Sequence, residues 1–507
     1  MTRDAAAIGA GLDPVRAARP IRAGERIHVI GAGGAGASAA ALLARAGGAV
    51  VTACDSGGAS PYTVALEEAG IELATVHDPS HITTEPSPER LAVTKALTAI
   101  DPDNPELRAA RERGIPVEAW QQVITDAASG RTLVAIAGTH GKSTTAGWLV
   151  HVLVHAGLDP SAFVGALLPR AVTGGAPATA RIGRGAPFVV EADEYAGNFD
   201  AYRPDIAVLT SAEWDHPDVF ADAAAVHDAF RRWLHGMPDG GTVIANVADP
   251  GVATIVDGLA DRPMALVAVG LADGDAAAAW VVHQPIAVTG RIIAEDPDGT
   301  TLQLDGLGAQ PRPITARLPT AGRHNAANAL GVAAAASRLG VPPEAIVSGL
   351  ESFEGVGRRL ERKGEAGGVV VYDDYGHHPT AIRATIAALR QREPSRRLWA
   401  VYEPLTYHRT AALASDFAHA LATADAVAIA DIWPGRDPDT TIASAADLAA
   451  AVTRLGRAIP VAAPGSVDAT AEWLAGEVRP GDAVLVMGGG HSYRIATGLL
   501  RRLEETA

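Results

Sequence analysis

The stretch that decides the fold is Thr132-Leu-Val-Ala-Ile-Ala-Gly-Thr-His-Gly-Lys-Ser-Thr-Thr145. Its apolar start predicts a short buried strand, and a helix is expected from about residue 143 to residue 155. The loop between them is rich in glycine and ends in Lys142 and Ser143, an arrangement that binds phosphate groups. Backbone N–H groups and the helix N-terminus would face the phosphate oxygens, Lys142 would add a positive charge, and the Ser143 hydroxyl would be a magnesium ligand.

One position departs from the general phosphate-loop pattern. The pattern has a glycine where this chain has Ile136, so the loop is a shorter form, Gly138-Thr-His-Gly-Lys-Ser143. A glycine-rich turn with a surface lysine is the alternative, but the order of strand, loop and helix favours phosphate. The predicted phosphate-binding residues of the loop are Gly138, Thr139, His140, Gly141, Lys142, Ser143 and Thr144.

Composition limits the classes of function. The chain has 507 residues, so about two to four domains are expected. Hydrophobic residues make up 48% and charged residues 20%, which indicates a folded globular protein. A net charge of −16 argues against a nucleic-acid partner, although a local loop can still bind a small anion. The single cysteine excludes a disulfide within the chain. The sequence contains no apolar run of about twenty residues, so no membrane span is predicted. A cytoplasmic location is therefore expected.

A second glycine-rich loop lies near the N-terminus. Arg26-Ile-His-Val-Ile-Gly-Ala-Gly-Gly-Ala-Gly36 predicts a strand that runs into this loop. Gly31, Gly33 and Gly36 match G-x-G-x-x-G, and Asp55 follows Gly36 by 55 − 36 = 19 positions, at the end of the next predicted strand. This is the fingerprint of a dinucleotide site, so an NAD(P)-dependent oxidoreductase is one hypothesis. A glycine turn without a ligand is the other interpretation.

Acidic and histidine side chains follow two further buried strands. Pro187-Phe-Val-Val-Glu-Ala-Asp-Glu194 ends in carboxylates, and Asp205-Ile-Ala-Val-Leu-Thr210 runs into Asp215-His216. Ligands of parallel sheets bind at the carboxyl ends of the strands, so Glu191 and His216 are candidates for holding Mg²⁺ near the phosphates. A capping or core histidine is the structural alternative for His216.

Strand and helix patterns alternate through three parts of the chain. They predict an α/β fold of three domains: an N-terminal Rossmann-like domain at 26–128, a central phosphate-loop ATP-binding domain at 129–354, and a C-terminal Rossmann-like domain at 355–507. Residues 1–25 are predicted to be a flexible tail. Residues 250–318 are interpreted as strands and turns without recognisable chemistry.

A polar cluster opens the alanine-rich helix that follows. His324, Asn325 and Asn328 stand together in Gly322-Arg-His-Asn-Ala-Ala-Asn328. They either cap the helix or contact adenine or ribose, and the residues alone favour neither reading.

Taken together, these motifs resemble the Mur ligase family of peptidoglycan synthesis. They occur in family order and cover nearly all of residues 26–490. The matching motifs are Gly138-Thr-His-Gly-Lys-Ser143, Glu191-Ala-Asp-Glu194, Asp215-His216, Gly322-Arg-His-Asn325, Gly357-Arg-Arg-Leu-Glu361 and Asp374-Tyr-Gly-His-His-Pro379.

Within the family, the chain is most similar to the members that add L-alanine. The similarity lies in residues 27–38, in residues 373–380 and in Tyr407-His-Arg-Thr410. Members that add a recycled tripeptide are the alternative, which Glu194-Tyr195 and residues 215–220 favour. Gly488-Gly-Gly-His491 stands where the family usually has Gly-Ala-Gly-Asp, close to the expected amino-acid pocket.

The resemblance implies an ATP-dependent carboxylate–amine ligase of cell-wall biosynthesis with Mg²⁺ as cofactor. ATP would phosphorylate the lactyl carboxylate of UDP-N-acetylmuramate, and the amine of L-alanine would attack the acyl phosphate. A free carboxylate acylates poorly, so this activation needs in-line positioning and charge neutralisation more than covalent help. The three domains would bind the UDP-sugar, ATP and the amino acid, and these small molecules are the expected partners.

The resemblance also implies roles for individual side chains. Lys142 would neutralise the ATP phosphates, Ser143 and Glu191 would hold one magnesium ion, and His216 would help to hold a second. Arg359 and Asp374 would reach ATP from the third domain on closure. The implied binding sets are His324 and Asn325 for adenosine; Gly31, Gly33, Gly34, Gly36, Ser38 and Asp55 for the UDP-sugar; and Tyr375, His377 and Arg409 for the amino acid.

Two hypotheses from other classes remain. An oxidoreductase would leave the second glycine loop and the third domain unexplained. A non-catalytic protein that binds a UDP-sugar is disfavoured by the intact set of Lys142, Glu191, His216 and Asp374.

Overall fold

The computed structural model describes residues 8–259, 261–272, 287–308, 312–435, 437 and 439–506. Within these residues the strands form three sheets, of five, ten and six strands. The predicted α/β class with three units is confirmed.

The first sheet is parallel throughout and carries the N-terminal glycine loop. Its elements are β1 Arg26–Ile30, α1 Ala35–Ala46, β2 Val50–Cys54, α2 Val64–Glu68, β3 Leu73–Ala74, α3 Ser80–Thr83, β4 Arg90–Val93, α4 Lys95–Ile100, α5 Pro105–Arg113, β5 Val117–Ala119 and α6 Trp120–Ala127. The strand order is β3-β2-β1-β4-β5. Gly36 packs so closely on α6 that a Cβ would lie 2.2 Å from the Trp120 ring, which explains the last glycine of the fingerprint.

Residues 8–25 are held against this first sheet, which corrects the prediction of a flexible tail. Ile8 is buried, and the Arg16 guanidinium bonds Glu118 at 2.6 Å and Asp126 at 2.7 Å. These partners are more than 100 residues away in sequence, so no local pattern could reveal them. Residues 1–7 of the predicted tail lie outside the described residues.

The central sheet is built around the strand that precedes the phosphate loop. Its elements are β6 Thr132–Ala137, α7 Lys142–His155, β7 Ser161–Leu168, α8 Arg170–Thr173, β8 Ala178–Arg181, β9 Pro187–Ala192, β10 Ile206–Leu209, α9 Ala223–His235, β11 Thr242–Asn246, α10 Pro250–Asp257, β12 Ala265–Leu271, β13 Ala287–Asp296, β14 Gly299–Asp305, β15 Ile314–Leu318, α11 Arg323–Arg338 and α12 Pro343–Glu351. The order is β15-β14-β13-β12-β11-β10-β6-β9-β7-β8.

Strand β6 therefore lies between β9 and β10, and all three run parallel. Ile136 is in register with Glu191, and Ala137 with Leu209. Because parallel strands end at one edge, the phosphate loop, Glu191 and the segment after Leu209 meet there.

Residues 250–318 contain one element that the sequence did not indicate. Helix α10 begins at Pro250, directly after Asp249, whose side chain accepts a hydrogen bond from the Val252 N–H. Proline at the first helical position and aspartate before it are ordinary start signals, which the prediction of strands and turns overlooked. Residues 273–286 and 309–311 of this region lie outside the described residues.

The third sheet completes the described chain. Its elements are β16 Glu361–Ala366, β17 Val369–Asp374, α13 Pro379–Arg392, β18 Arg397–Tyr402, α14 Tyr407–Ala412, α15 Ala414–Leu421, β19 Ala426–Ala430, α16 Ala445–Arg454, β20 Val461–Gly465, α17 Val467–Glu477, β21 Asp482–Met487 and α18 Tyr493–Thr506. The order is β16-β17-β21-β18-β19-β20, with β16 antiparallel at the edge. Asp374, Gly488 and Glu403 consequently lie side by side at one edge of the sheet.

Across the described ranges, no helix combines the length and the apolar character that a membrane crossing requires.

The buried charge network of the first sheet leads to a prediction about stability. Arg90 is 2% exposed and bonds Glu118 at 2.8 Å and Asp126 at 2.6 Å. We expect Arg90→Met to destabilise this part of the protein by up to about 3–5 kcal/mol, because Glu118 and Asp126 lose their buried cation and keep only Arg16, whose side chain is 30% exposed. Hydrogen exchange of the β1 and β4 amides measures the loss. The control is Arg22→Met, whose side chain is 65% exposed and whose ion pair should contribute about 1 kcal/mol or less. Equal losses in the two variants would contradict this account.

Candidate active site

A cavity of about 660 Å³ lies between the central and third sheets. Its lining contains the phosphate loop, the ends of β9 and β10, the start of α11 and the segment that follows β17. The structure thus gathers five side chains that are far apart in sequence, namely Lys142, Glu191, His216, Arg359 and Asp374. The predicted residues His324, Asn325, Tyr375, His377 and Arg409 also line this cavity.

The two loop glycines are explained by the close approach of neighbouring segments. Gly138 has φ +140° and Gly141 has φ +78°, values that other residues rarely adopt. A Cβ at Gly138 would lie 2.2 Å from Thr210 Oγ1, and one at Gly141 would lie 2.6 Å from Asn328 Oδ1. The loop is therefore clamped between the end of β10 and helix α11, with its conformation already formed.

Lys142 is held by the carboxylates that follow β9. Its Nζ lies 3.0 Å from Glu194 Oε2 and 3.5 Å from Asp193 Oδ1. Burial works against the charged form, but these carboxylates outweigh it and raise the pKa of Lys142 above its usual value. The ammonium group therefore stays charged.

The Ser143 hydroxyl connects the central and third sheets. Ser143 Oγ donates to Glu191 Oε1 at 3.1 Å and accepts from Arg359 Nη2 at 2.7 Å. The other Glu191 oxygen accepts from the Gly165 N–H at 2.7 Å. A Cβ at Gly165 would lie 2.8 Å from the Glu191 carboxylate. The glycine on β7 therefore leaves the space that this carboxylate occupies.

His216 belongs to a second group of potential ligands. One ligand atom each from Asp193, Glu194 and His216 lies within 4.8 Å of the others. Asp193 and Glu194 were not among the predicted site residues, although the acidic run at the end of β9 was visible in the sequence. His216 has φ +56°, an uncommon conformation for a non-glycine residue and one that recurs at functional sites.

Arg409 has a different partner from the one that the sequence suggested. Its Nε donates to Asp215 Oδ1 at 2.9 Å, and its Nη2 lies 3.0 Å from His216 Nδ1. Both members of the ion pair have side chains that are 4% exposed. Burial opposes ionisation, yet Arg409 holds the pKa of Asp215 well below its usual range. The guanidinium predicted to bind the amino-acid carboxylate is thus engaged across the two sheets, by a partner 194 residues away.

Asp374 makes hydrogen bonds to two backbone N–H groups. Its Oδ2 accepts from the Leu360 N–H and its Oδ1 from the Gly376 N–H, both at 2.7 Å. Arg358 and Leu360 have φ +57° and φ +47°, so the carboxylate fixes a strained turn that presents Arg359 to Ser143. Asp374 acts here on the backbone that positions Arg359.

The aromatic and imidazole groups near Asp374 are close to these arginines. The Arg359 guanidinium lies 4.9 Å from the centroid of the Tyr375 ring. His377 Nδ1 lies 3.0 Å from the Tyr375 carbonyl oxygen. Burial, together with the charge of Arg409, lowers the pKa of His377 well below its usual value, so this imidazole is neutral and its Nδ1–H donates to the carbonyl.

The polar residues at the start of α11 have different contacts and therefore different roles. Asn325 Nδ2 donates to the Ala321 carbonyl at 2.8 Å, which favours a local structural role for this amide. Burial and the nearby His140 lower the pKa of His324 to about 4, so it is neutral in the cavity. Asn328, for which the sequence left capping and nucleoside contact open, is the amide that lies against the phosphate loop.

The residues predicted to bind the UDP-sugar are not brought into this cavity. Asp55 accepts from the Gly33 N–H at 2.9 Å and from the Gly57 N–H at 2.8 Å, so its carboxylate closes its own loop. Ser38 is buried and donates to the Ala35 carbonyl at 3.0 Å. Gly36 touches Trp120, which does line the cavity, so this loop adjoins the site through one indole ring.

Comparison with known families covers most of the chain. Residues 26–132 match the model of the Mur ligase family catalytic domain, residues 136–336 the Mur ligase middle domain, and residues 358–490 the Mur ligase glutamate ligase domain. A curated UDP-N-acetylmuramate–L-alanine ligase of Mycolicibacterium vanbaalenii is 37% identical over 95% of this chain and 97% of its own length. The protein of the same name from Kineococcus radiotolerans is 38% identical over 95% of this chain and 96% of its own length.

Solved structures show the same fold. The UDP-N-acetylmuramate-alanine ligase of Thermotoga maritima superposes with a TM-score of 0.76 at 23% identity, over 95% of this chain and 100% of that one. A murein peptide ligase of Psychrobacter arcticus gives a TM-score of 0.70 at 24% identity, over 95% of this chain and 99% of that one. With three family models matched in order and curated relatives aligned over nearly their whole length, this chain belongs to the Mur ligase family.

Proposed function

We propose that this protein is an ATP-dependent ligase that joins L-alanine to the lactyl carboxylate of UDP-N-acetylmuramate in peptidoglycan synthesis. The observation that carries the proposal is the single cavity in which the phosphate loop meets residues of the third sheet. Relatives at 37% identity, named for this reaction, support the choice of substrates.

Mg²⁺ is proposed as the cofactor because the donor set suits a hard cation. Ser143 Oγ and Glu191 supply oxygen ligands beside the phosphate loop, and Gly165 leaves space for that carboxylate. Asp193, Glu194 and His216 form a second candidate set. When bound, Mg²⁺ would neutralise charge on the phosphates of ATP.

The side chains of this chain would bind and orient the reactants. Lys142 would exchange Glu194 and Asp193 for phosphate oxygens, and Arg359 would add a second cation opposite the transferring phosphoryl group. The remaining guanidinium nitrogen of Arg409, Nη1, has no hydrogen-bond partner among the described residues and would meet the alanine carboxylate. Neutral His377 would accept a hydrogen bond from the alanine amine.

A second cavity offers a route for the sugar nucleotide. It has a volume of about 920 Å³, shares Arg359 and Tyr375 with the first cavity, and is lined by Tyr62 from the first sheet region. The lactyl carboxylate would then approach the phosphate loop from the side of the N-terminal domain.

Two alternatives are distinguishable. Addition of a tripeptide is the activity in the name of a solved structure from Neisseria, which aligns with 66% of this chain. An NAD(P)-dependent oxidoreductase is disfavoured because Asp55, which would bind the ribose, is occupied by backbone N–H groups of its own loop.

The identity of the acceptor can be tested directly. Phosphate release should require ATP, UDP-N-acetylmuramate and L-alanine together, and L-alanine should give a higher kcat/KM than L-alanyl-γ-D-glutamyl-meso-diaminopimelate. A coupled phosphate assay over a panel of amino acids and this tripeptide measures the preference. Faster turnover with the tripeptide, or oxidation of NAD(P)H without ADP formation, would overturn the proposal.

Removal of the phosphate-loop cation should abolish most turnover. We expect Lys142→Ala to lower kcat by roughly 10²- to 10³-fold, because a preorganised cation at the phosphates is lost. Circular dichroism should show an unchanged fold. Arg501→Ala is the control, since that exposed guanidinium pairs with Glu505 within the last helix and lines neither cavity. Near-normal turnover of Lys142→Ala would rule out the assigned role.

The space beside Glu191 gives a test of the magnesium assignment. Gly165→Ala would place a methyl group 2.8 Å from the carboxylate, so the apparent affinity for Mg²⁺ should fall by about 10- to 100-fold. The dependence of the rate on Mg²⁺ concentration measures this effect. Gly476→Ala is the control, because a Cβ there meets nothing within 4 Å. An unchanged Mg²⁺ dependence in Gly165→Ala would show that Glu191 does not hold the ion.

A further inference from the structure

A separate cluster of metal-ligating side chains lies in the first sheet region, away from the cavity of the proposed reaction. His28 on β1, Cys54 at the end of β2, His81 on α3 and Glu106 on α5 each place one ligand atom within 4.8 Å of the others. The mixture of thiol, imidazole and carboxylate is typical of transition-metal sites and differs from the oxygen donors that magnesium prefers.

The distances are close to those of a four-coordinate site. Glu106 Oε2 lies 3.2 Å from Cys54 Sγ, Glu106 Oε1 lies 3.4 Å from His28 Nε2, and His81 Nδ1 also contacts Oε1. Zinc with bonds of about 2.0–2.3 Å separates its tetrahedral ligand atoms by roughly 3.3–3.8 Å. Adjustments of about 1 Å or less in the side chains would therefore accommodate the ion.

His28 gives independent evidence that something is missing from the cluster. It is 1% exposed, and its Nδ1 lies 2.7 Å from Thr52 Oγ1. Its Nε2 points at the cluster and lies 3.4 Å from Glu106 without forming a hydrogen bond. A bond from one ring nitrogen to an oxygen, with the other nitrogen left for the ion, is the usual arrangement of a metal-binding histidine. If no ion binds, a buried ring nitrogen without a hydrogen-bond partner lowers the stability of the fold.

The remaining surroundings orient the carboxylate and leave a path to solvent. Asn104 caps helix α5 by accepting from the backbone N–H of Glu106, which holds that residue at the helix start. His77 lies next to the cluster, with its Nδ1 3.0 Å from Glu106 Oε2. The side chains of His77 and His81 are 15% and 23% exposed, so an ion can enter from this side.

We propose that His28, Cys54, His81 and Glu106 bind one tetrahedral zinc ion that stabilises the N-terminal domain. Four protein ligands leave no open position, as expected for a structural site. Cys54 directly precedes Asp55, whose carboxylate holds the Gly33 and Gly57 N–H groups. The ion would thus fix the end of β2 and, through Asp55, the glycine loop.

The single cysteine of the chain makes a decisive experiment possible. Full-length protein, purified and stripped with a chelator, is titrated with Co²⁺ in excess Mg²⁺, which saturates the oxygen sites of the cavity that contains the phosphate loop. One equivalent of Co²⁺ should give a thiolate-to-cobalt charge-transfer band and the intense visible bands of a tetrahedral ion. Only Cys54 can supply that thiolate. Zn²⁺ should displace Co²⁺, and elemental analysis should find one zinc per reconstituted chain.

Matched variants keep the test independent of folding. Cys54→Ser should abolish the charge-transfer band, and Glu106→Gln should weaken Zn²⁺ binding about 10- to 100-fold, both with native circular dichroism. His155→Ala should leave the band unchanged, because it removes an exposed histidine that bonds Ser348 on another face. Zn²⁺ should raise the melting temperature of the wild type and of His155→Ala, but not of Cys54→Ser.

Two outcomes would contradict the proposed zinc site. If the wild type shows no charge-transfer band, or if Cys54→Ser and Glu106→Gln bind Zn²⁺ as tightly as the wild type, the proposal is wrong. The cluster is then a hydrogen-bonded network in which His77 and His81 bond to Glu106.

Discussion

The contact on which the rest of the site depends is the one at the Ser143 hydroxyl. It donates to Glu191 from the central sheet and accepts from Arg359 of the segment before the third sheet. Without the third sheet packed against the central one, the phosphate loop would face open solvent. The buried pair of Arg409 and Asp215 makes the second bond across the same boundary. Breaking such a pair costs about 3–5 kcal/mol, because one charge is left buried alone.

In the closed cavity, acidic groups hold the cations. Lys142 lies between Glu194 and Asp193, and Arg409 between Asp215 and His216. Each cation is kept charged by a neighbouring carboxylate. The cavity is therefore closed, and the charges of these two cations are balanced within it. The strained backbone at His216, Arg358 and Leu360 lies at the same boundary, where surrounding contacts can maintain it.

How much of the site the sequence could predict depends on the range of each interaction. The strand, loop and helix around Lys142 follow from local patterns, and Glu191 follows from its position at a strand end. Asn328 and Asp215 were visible as polar residues, but their partners, Gly141 and Arg409, are distant in sequence. Asp374 lines the cavity, but its bonds to backbone N–H groups depend on a strained turn that no composition or period reveals.

In the first sheet region, too, local spacing predicts some features and only the tertiary structure shows others. Gly31, Gly33, Gly36 and Asp55 identify a Rossmann-like loop from spacing alone, but only the packing of Gly36 on Trp120 connects that loop to the cavity. His28 on β1 and Glu106 on α5 come together only in the folded domain, where Nε2 lies 3.4 Å from Oε1, and nothing in their spacing indicates it.

By itself the sequence determined the fold class, the phosphate loop and the family resemblance, because these rest on short-range periodicity and on motifs within a few residues. The tertiary structure decided which charges are paired, which polar groups are buried and which side chains share a cavity. Those properties depend on distances between residues that are far apart in the chain, and burial sets their energies.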